Sequence, residues 1–376
     1  MKKRLWVAGI VVLAGLIVLG VYLYKKDTRL QLNNEVVIAS IVPLTGPAAE
    51  FGGYNREASE LVVDDFNSSP GVKIKARHVL QDSKSTPKDG VNALQSVLSS
   101  ERPIAVQVQL SAVVLGLAPI TSEKNLLLLS IAGTAGPKTI NRLAFRNYPD
   151  PGLTARETAN VFLKSKADAR VAILRVNDEF GAAVGDAFKT RLKEVGRPVV
   201  ADEAYDKAAT DYRAPVTKII GASPNTVYLV GVGSALGRII VQLRQLGFRG
   251  DILGGPEIAF ADVLNTAKEA AEGVRFLDFA FDPQSQEEPT RSFVERYQKH
   301  FNRPPTTVSA VVYDGWSLLL GAAERANSTD PNKIAEELLK TSSYSGVSGK
   351  LSVSAERDVV YQLAPRVIQA GKPVKY

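Results

Sequence analysis

The chain has 376 residues, 45% hydrophobic and 23% charged, a composition that suits a folded globular protein with one large core or two medium ones and argues against disorder. The absence of cysteine excludes disulfides, thiolate chemistry, cysteine-ligated metals and a lipoprotein anchor. The net charge of +7 gathers at one end: residues 1–29 carry +5, while the rest holds 40 basic and 38 acidic side chains and offers no basic stripe for nucleic acid.

The chain opens on "MKKRLWVAGIVVLAGLIVLGVYLYKK", in which residues 5–24 are uncharged and bracketed by basic residues. A helix of that length, at ~1.5 Å per residue, spans the ~30 Å hydrocarbon layer. Trp6, Tyr22 and Tyr24 lie near its ends, where amphipathic rings settle at the interface. A cleaved signal peptide has a shorter apolar core of about 7–15 residues, and here the run continues past Val18-Leu19-Gly20. Residues 1–29 therefore read as an uncleaved membrane anchor, with a cleaved signal as the alternative, and residues 25–34 as a short tether. Either way the bulk of the chain is expected outside the cytoplasmic membrane.

From Glu35 onward apolar runs alternate with helical spacing. Strands are expected at 36–42, 72–80, 104–110, 126–130, 170–176, 225–231 and 250–255, and helices at 52–67, 86–100, 113–124, 182–195 and 236–246. Thr86 and Pro87 form a cap and first-turn pair for the second helix. Such alternation implies parallel sheets with right-handed crossovers. About ten such strands are too many for one comfortable sheet, so two α/β lobes are expected. Stretches at 146–152 ("RNYPDPG"), near Asp282-Pro283, and at 344–349 ("YSGVSG") are candidate crossings between them.

Catalytic and metal motifs are scarce. The two histidines, His78 and His300, read as surface residues, and no zinc-binding H-x-x-x-H, phosphate loop or nucleophile elbow appears. No Asp/Glu cluster has calcium-loop spacing, so neither a metal nor a cofactor is expected, and the chain does not read as an enzyme. "YLVGVGSALG" (228–237) mimics a dinucleotide fingerprint, but its G-x-G-x-x-x-G spacing better suits a tight turn or ligand-lining loop.

Ligands of open α/β sheets sit beyond the carboxyl ends of strands. Polar residues at such ends are Ser111 after "AVQVQL", Thr134 after "LLLLSIAG" and Glu257 after "ILGGP". Each also suits a helix start, where hydroxyls cap and acids meet the macrodipole. Together they supply hydroxyls and helix-start N–H groups for a carboxylate and an anion for an ammonium, the charge pattern of an α-amino acid.

The ordered series "IVPLTGPAAEFGGYNREASELVVDDFN", "QLSAVVLGLAPITSEKNLLLLSIAGTAGP", "FRNYPDPG", "ILRVNDEFGAAVGDAFKTRLKEVG", "RQLGFRGDILGGPEIA" and "AVVYDGWSLLLGAAERA" resembles the branched-chain amino-acid-binding protein family, the type I periplasmic solute-binding proteins of ABC importers. The likeness runs from about residue 36 to 360. It implies an α/β fold of two lobes, each a mostly parallel sheet flanked by helices, joined by three crossings and closing on a ligand by hinge motion. The lobes would comprise 36–147 plus 282–342 and 148–281 plus 343–376. Carried over by position, Ser111 and Thr134 would hold the ligand carboxylate. The carbonyl of Ala132 or Gly133 and the carboxylate of Glu257 would hold its ammonium. Phe51 would form an aromatic wall, and Asp150 would stand in the first crossing.

The chain departs from the family where Phe180 replaces a common tyrosine and where Val232, Gly233 and Ser234 replace an aromatic, which leaves the second lobe's side more open. The resemblance implies a small-molecule ligand and ABC permease and ATPase partners. A membrane-anchored sensor of the same fold, reporting to a signalling partner, is the alternative.

Overall fold

The protein is described by a computed structural model covering residues 35–134, 136–164 and 166–376. The anchor or signal expected in residues 1–29 lies outside the described residues. Among those described, no helix is long and apolar enough to cross a membrane.

Two sheets organise the chain. The first holds β1 (Glu35–Val42), β2 (Lys75–Asp82), β3 (Pro103–Gln109), β4 (Leu127–Ile131) and β5 (Ala144–Arg146), all parallel, in the order β2-β1-β3-β4-β5. The second holds β6 (Val171–Val176), β7 (Ala201–Tyr205), β8 (Thr226–Val230), β9 (Asp251–Gly254) and β10 (Arg275–Phe279) in parallel. The antiparallel strands β14 (Leu363–Gln369) and β15 (Lys372–Lys375) extend it at the β10 edge. β1, β3, β4 and β8 are buried along nearly their whole length, which is why they appear in the sequence as predominantly apolar runs with only an occasional polar residue such as Ser40, Gln107 or Ser130.

Helices cover both faces. Pro87–Ser100 and Ser111–Glu123 pack on one face of the first sheet through Leu94, Val97, Val113 and Leu117. Ala49–Ser68 and Thr307–Ala326 pack on the other, where Trp316 is fully buried. The Pro87 helix starts as its sequence predicts, with Thr86 Oγ1 accepting from the N–H of Asp89 at 3.1 Å.

In each sheet the chain winds first to one side of a central strand and then to the other. In the first sheet β1 lies between β2 and β3; in the second β6 lies between β7 and β8. Each reversal opens a crevice at the carboxyl ends of the two central strands. The two crevices face each other, and the cleft lies there.

Two expectations are corrected. The stretch 344–349 is not a crossing: β11 (Tyr344–Gly346) and β12 (Gly349–Val353) form a hairpin, joined by β13 (Val359–Val360) in a small antiparallel sheet. The buried Asp314 carboxylate on the Thr307 helix takes the N–H groups of Val347 and Ser348 at 2.8 and 2.9 Å, and Arg146 N donates to the Arg357 carbonyl. Residues 344–360, expected with the second lobe, therefore pack on the first, and the chain returns to the second sheet after Tyr361. His78, on the edge strand β2, is half-buried rather than fully exposed. Its Nε2 lies 2.9 Å from Ser40 Oγ, and burial pushes its pKa down to about 4. His300 is exposed as expected.

Candidate functional site

The first lobe's share of the cleft comes from three strand ends. After β1, Pro47, Ala48 and Phe51 enter the Ala49 helix; after β3, Gln109 and Leu110 lead to Ser111; after β4, Ile131 leads to Ala132 and Gly133. Leu110 carries φ 73°, a left-handed conformation that costs a branched residue energy. That turn swings the chain from strand to helix and leaves Ser111 at the helix start, 3% exposed, its Oγ without a hydrogen-bond partner among the described residues.

The second lobe answers with Asp178 and Phe180 after β6, Lys207 after β7, Val232 after β8 and Glu257 after β9, while Tyr148 reaches in from the first crossing. All border one cavity. The lobes meet closely around it: a Cβ on Gly133 would stand 3.0 Å from the Phe180 ring, and Phe51 packs edge-on against Phe260 at 4.4 Å between centroids. Gly133 thus lets the two lobes approach.

Glu257 lies in the one-turn helix Pro256–Ala259 and is 6% exposed. Its carboxylate folds back over Gly255, where a Cβ would stand 2.6 Å from Oε2. The Tyr148 hydroxyl donates to Oε1. Among the described residues no cation pairs with this carboxylate. Burial outweighs the hydrogen bonds from Tyr148 and from the Glu257 backbone N–H and pushes the pKa up to about 7. Burial together with the nearby carboxylate also holds the Tyr148 hydroxyl well above its ordinary range, so it remains a donor.

The sequence-predicted residues divide cleanly. Ser111, Ala132, Gly133, Phe51, Phe180, Val232 and Glu257 border the cavity, whereas Thr134, Asp150 and Gly233 stand outside its lining. Thr134 is buried beside Gly133, and its carbonyl accepts from Arg146 Nη1 at 2.8 Å. Asp150 is occupied elsewhere: it caps its helix at Leu153 N (2.8 Å) and accepts from Arg146 Nη2 (2.6 Å). Arg146, itself buried, also reaches Asp358 at 2.8 Å and so ties the Thr134 loop to two chain crossings. Gly233, at φ +76°, forms the rim, where a Cβ would come within 3.0 Å of the Pro47 carbonyl across the cleft.

Sequence reasoning missed Tyr148, Gln109, Asp178 and Lys207. Gln109 could have been found by the rule that found Ser111, since it too ends a buried strand. Asp178 caps the helix Glu179–Glu194 through Gly181 N at 3.1 Å and pairs with Lys207 Nζ at 3.2 Å. Among the described residues, no group of three His, Asp or Glu side chains could hold a metal ion.

Two α/β lobes closing on a cavity bordered by strand ends of both sheets define a two-lobed solute-binding protein. Residues 35–363 match the periplasmic binding protein family, and the chain belongs to it. It is similar to the Leu/Ile/Val-binding protein homolog 3 of Brucella melitensis, with 26% identity over 308 residues, 81% of this chain and 83% of that one. Among solved structures it resembles the leucine-binding protein LivK of Thermotoga maritima, at 26% identity and a TM-score of 0.83 over 91% of this chain and 97% of that one. A solute-binding protein of an ABC transporter from Rhodopseudomonas palustris, solved with 3,4-dihydroxybenzoic acid, shares the fold at 20% identity and a TM-score of 0.78, covering 91% and 96%. The type is thus that of the branched-chain amino-acid binding proteins, and the family is extracytoplasmic.

Proposed function

We propose that this protein is an extracytoplasmic receptor that closes its lobes on an α-amino acid and delivers it to an ABC permease and its ATPase. The observation that carries this reading is the complementary chemistry of the two cleft walls. On the first lobe the unpartnered Ser111 hydroxyl stands at a helix start, suited to a carboxylate. On the second, Glu257 is a buried acid without a cationic partner among the described residues, suited to an ammonium. In this reading Thr134 assists at the carboxylate, the carbonyl of Ala132 or Gly133 assists at the ammonium, and Phe51 and Phe180 wall the side chain. Residues 36–147 with 282–360 form the first lobe and 148–281 with 361–376 the second. Residues 5–24 tether the receptor to the membrane, and sensing in place of import is the alternative output of the same binding event.

A second reading has its own observation. At neutral pH Glu257 is partly protonated and hydrogen-bonded to Tyr148, a neutral pair that could meet a phenol, and Phe51, Phe180 and Tyr148 border the cavity. The Rhodopseudomonas relative was solved with a hydroxylated benzoic acid. Titration calorimetry across pH separates the two. An ammonium ligand needs Glu257 ionised and binds more tightly as pH rises to about 7. A neutral phenol paired with protonated Glu257 binds more weakly as pH rises through the same window, and that result would replace the amino-acid reading.

A further inference from the structure

The cavity floor contains an amide that neither wall of the site uses. Gln109 ends β3, lines the cavity, is 1% exposed, and has no hydrogen-bond partner for Oε1 or Nε2. Its surroundings are built for polarity. Gln107, two residues earlier on the same strand face, accepts from Asn55 Nδ2 at 2.6 Å; Asn55 Oδ1 accepts from Ser59 Oγ at 3.1 Å, and Ser59 Oγ accepts from Trp316 Nε1 at 3.0 Å. This buried chain ends at Gln107 Nε2, itself without a partner, and Gln109 is the next residue on that face towards the cleft. A buried primary amide left with both donor and acceptor unmade is costly, so a ligand that supplies both is favoured over one that supplies neither. From the second lobe the Asp178–Lys207 ion pair borders the same cavity. Its two opposite charges offset each other, so the pair presents no net charge to draw in an ionised side chain.

We infer that Gln109 reads a neutral hydrogen-bonding group on the ligand's side chain, a carboxamide or hydroxyl, so that the cavity selects polar over branched aliphatic amino acids. The inference rests on the amino-acid reading above. An aliphatic side chain would dry the cavity and still leave Gln109 Oε1 and Nε2 unpaired. A side-chain carboxylate would satisfy only the amide donors. A carboxamide or hydroxyl satisfies donor and acceptor alike.

The test is calorimetric titration of the full chain with L-glutamine, L-threonine and L-leucine at pH 7.5, for the wild type and Gln109→Leu. The expected result is that glutamine or threonine binds at least tenfold more tightly than leucine, and that Gln109→Leu removes or reverses the preference while leucine still binds. Gln109→Met, which keeps the length and flexibility of the side chain and removes its hydrogen-bonding edge, provides the test if the leucine variant does not fold; it is expected to reduce the preference for glutamine severalfold. Wild type binding leucine as tightly as the polar ligands overturns the inference and leaves the amino-acid reading intact. So does an unchanged selectivity in a folded variant, which is the signature of a Gln109 satisfied by buried water. Binding confined to 4-hydroxybenzoate and benzoate overturns the amino-acid reading instead, and the inference with it.

Discussion

The hydroxyl of Tyr148 donates to Oε1 of Glu257, so a residue of the first chain crossing holds a carboxylate buried in the second lobe. This bond opposes the rise in the Glu257 pKa that burial causes. Removing it with Tyr148→Phe leaves burial opposed only by the backbone N–H of Glu257 and raises that pKa above about 7. An amino acid then binds the ionised form at the cost of a proton that must first leave. Affinity in the wild type should fall roughly tenfold per pH unit below the Glu257 pKa. In Tyr148→Phe the same fall should begin at higher pH, so that binding at pH 7 weakens severalfold and recovers by pH 8.5. Calorimetry at four or five pH values measures the break point. An unshifted break point would separate Tyr148 from the titration of Glu257.

Glu257→Gln separates binding from stability. Truncating one partner of a buried charged pair costs about 3–5 kcal/mol, so amino-acid affinity should fall by at least a hundredfold. The unliganded fold should respond in the opposite sense. A carboxyl whose pKa is raised in the folded chain binds its proton more tightly there than when unfolded, so its contribution to stability is lost as pH rises through the folded value. For Glu257 the loss runs from about pH 4.5 to about 7. Glu257→Gln, which carries no charge, should therefore melt above the wild type at pH 8 and level with it near pH 4. A variant that neither binds nor gains stability at pH 8 would point to misfolding of the Gly255–Glu257 turn.

The central strands were legible because their burial on both faces leaves mostly apolar runs: Val36 to Val42 interrupted only by Ser40, Ile104 to Val108 interrupted only by Gln107, and Val227 to Val230. The edges were not. β7 (Ala201–Tyr205) is "ADEAY", a half-exposed strand whose acids disguise it, and β5 has only three residues. β14 contains Pro365, which argues against a strand. Yet Pro365 lies opposite Leu277, and the flanking bonds from Ala280 N to the Gln362 carbonyl and from Ile368 N to the Val274 carbonyl place its missing N–H on the side away from β10. The sheet therefore tolerates it. In the site, Ser111 and Glu257 were readable because strand ends face the cleft by topology. Tyr148 was not, because it meets Glu257 across 109 residues of sequence. Gln109 was open to the same strand-end rule, and with Gln107 it forms an internal polar face of β3.

Asp278 provides a second stability measurement, away from the cleft. It lies on β10, is 5% exposed, and accepts from Phe279 N at 2.8 Å and Thr307 Oγ1 at 3.4 Å. Burial outweighs these bonds and pushes its pKa up to about 7. The sign is that of Glu257: the folded chain binds this proton more tightly than the unfolded chain, so stability falls from about pH 4 to about pH 7 and is flat above. Asp278→Asn keeps an acceptor for Phe279 N and removes the charge. Its melting temperature should exceed the wild type's by several degrees at pH 8, and the gain should vanish near pH 4. Thermal melts at both values decide it, and equal melting temperatures at pH 8 would mean that Asp278 is solvated better than its burial suggests.

At the rim the two lobes are joined by carboxyl groups. Asp262 N donates to Glu50 Oε2 at 3.1 Å, and Tyr54 donates to Glu50 Oε1 at 3.1 Å with Arg303 stacked 4.5 Å from the Tyr54 ring. The Asp262 side chain is half-buried beside Glu50, and its partial burial followed by that neighbouring charge pushes its pKa up to about 6. Opening the lobes returns Asp262 to water and to an ordinary carboxyl value near 3.9. The closed form thus binds this proton more tightly than the open one, and closure is favoured below about pH 4 and loses that advantage as pH rises to about 6. The direction is opposite to that of Glu257, so the two overlap in any wild-type profile between pH 4 and 6. Asp262→Asn removes the rim's share and should strengthen ligand binding several-fold at pH 7.5 while leaving the break near pH 7 in place. Its benefit should shrink towards pH 4.5. Small-angle scattering with and without ligand gives an independent readout, with the unliganded variant more compact than the wild type at pH 7.5. Equal dimensions together with unchanged affinity would mean that the Glu50–Asp262 contact does not bias closure.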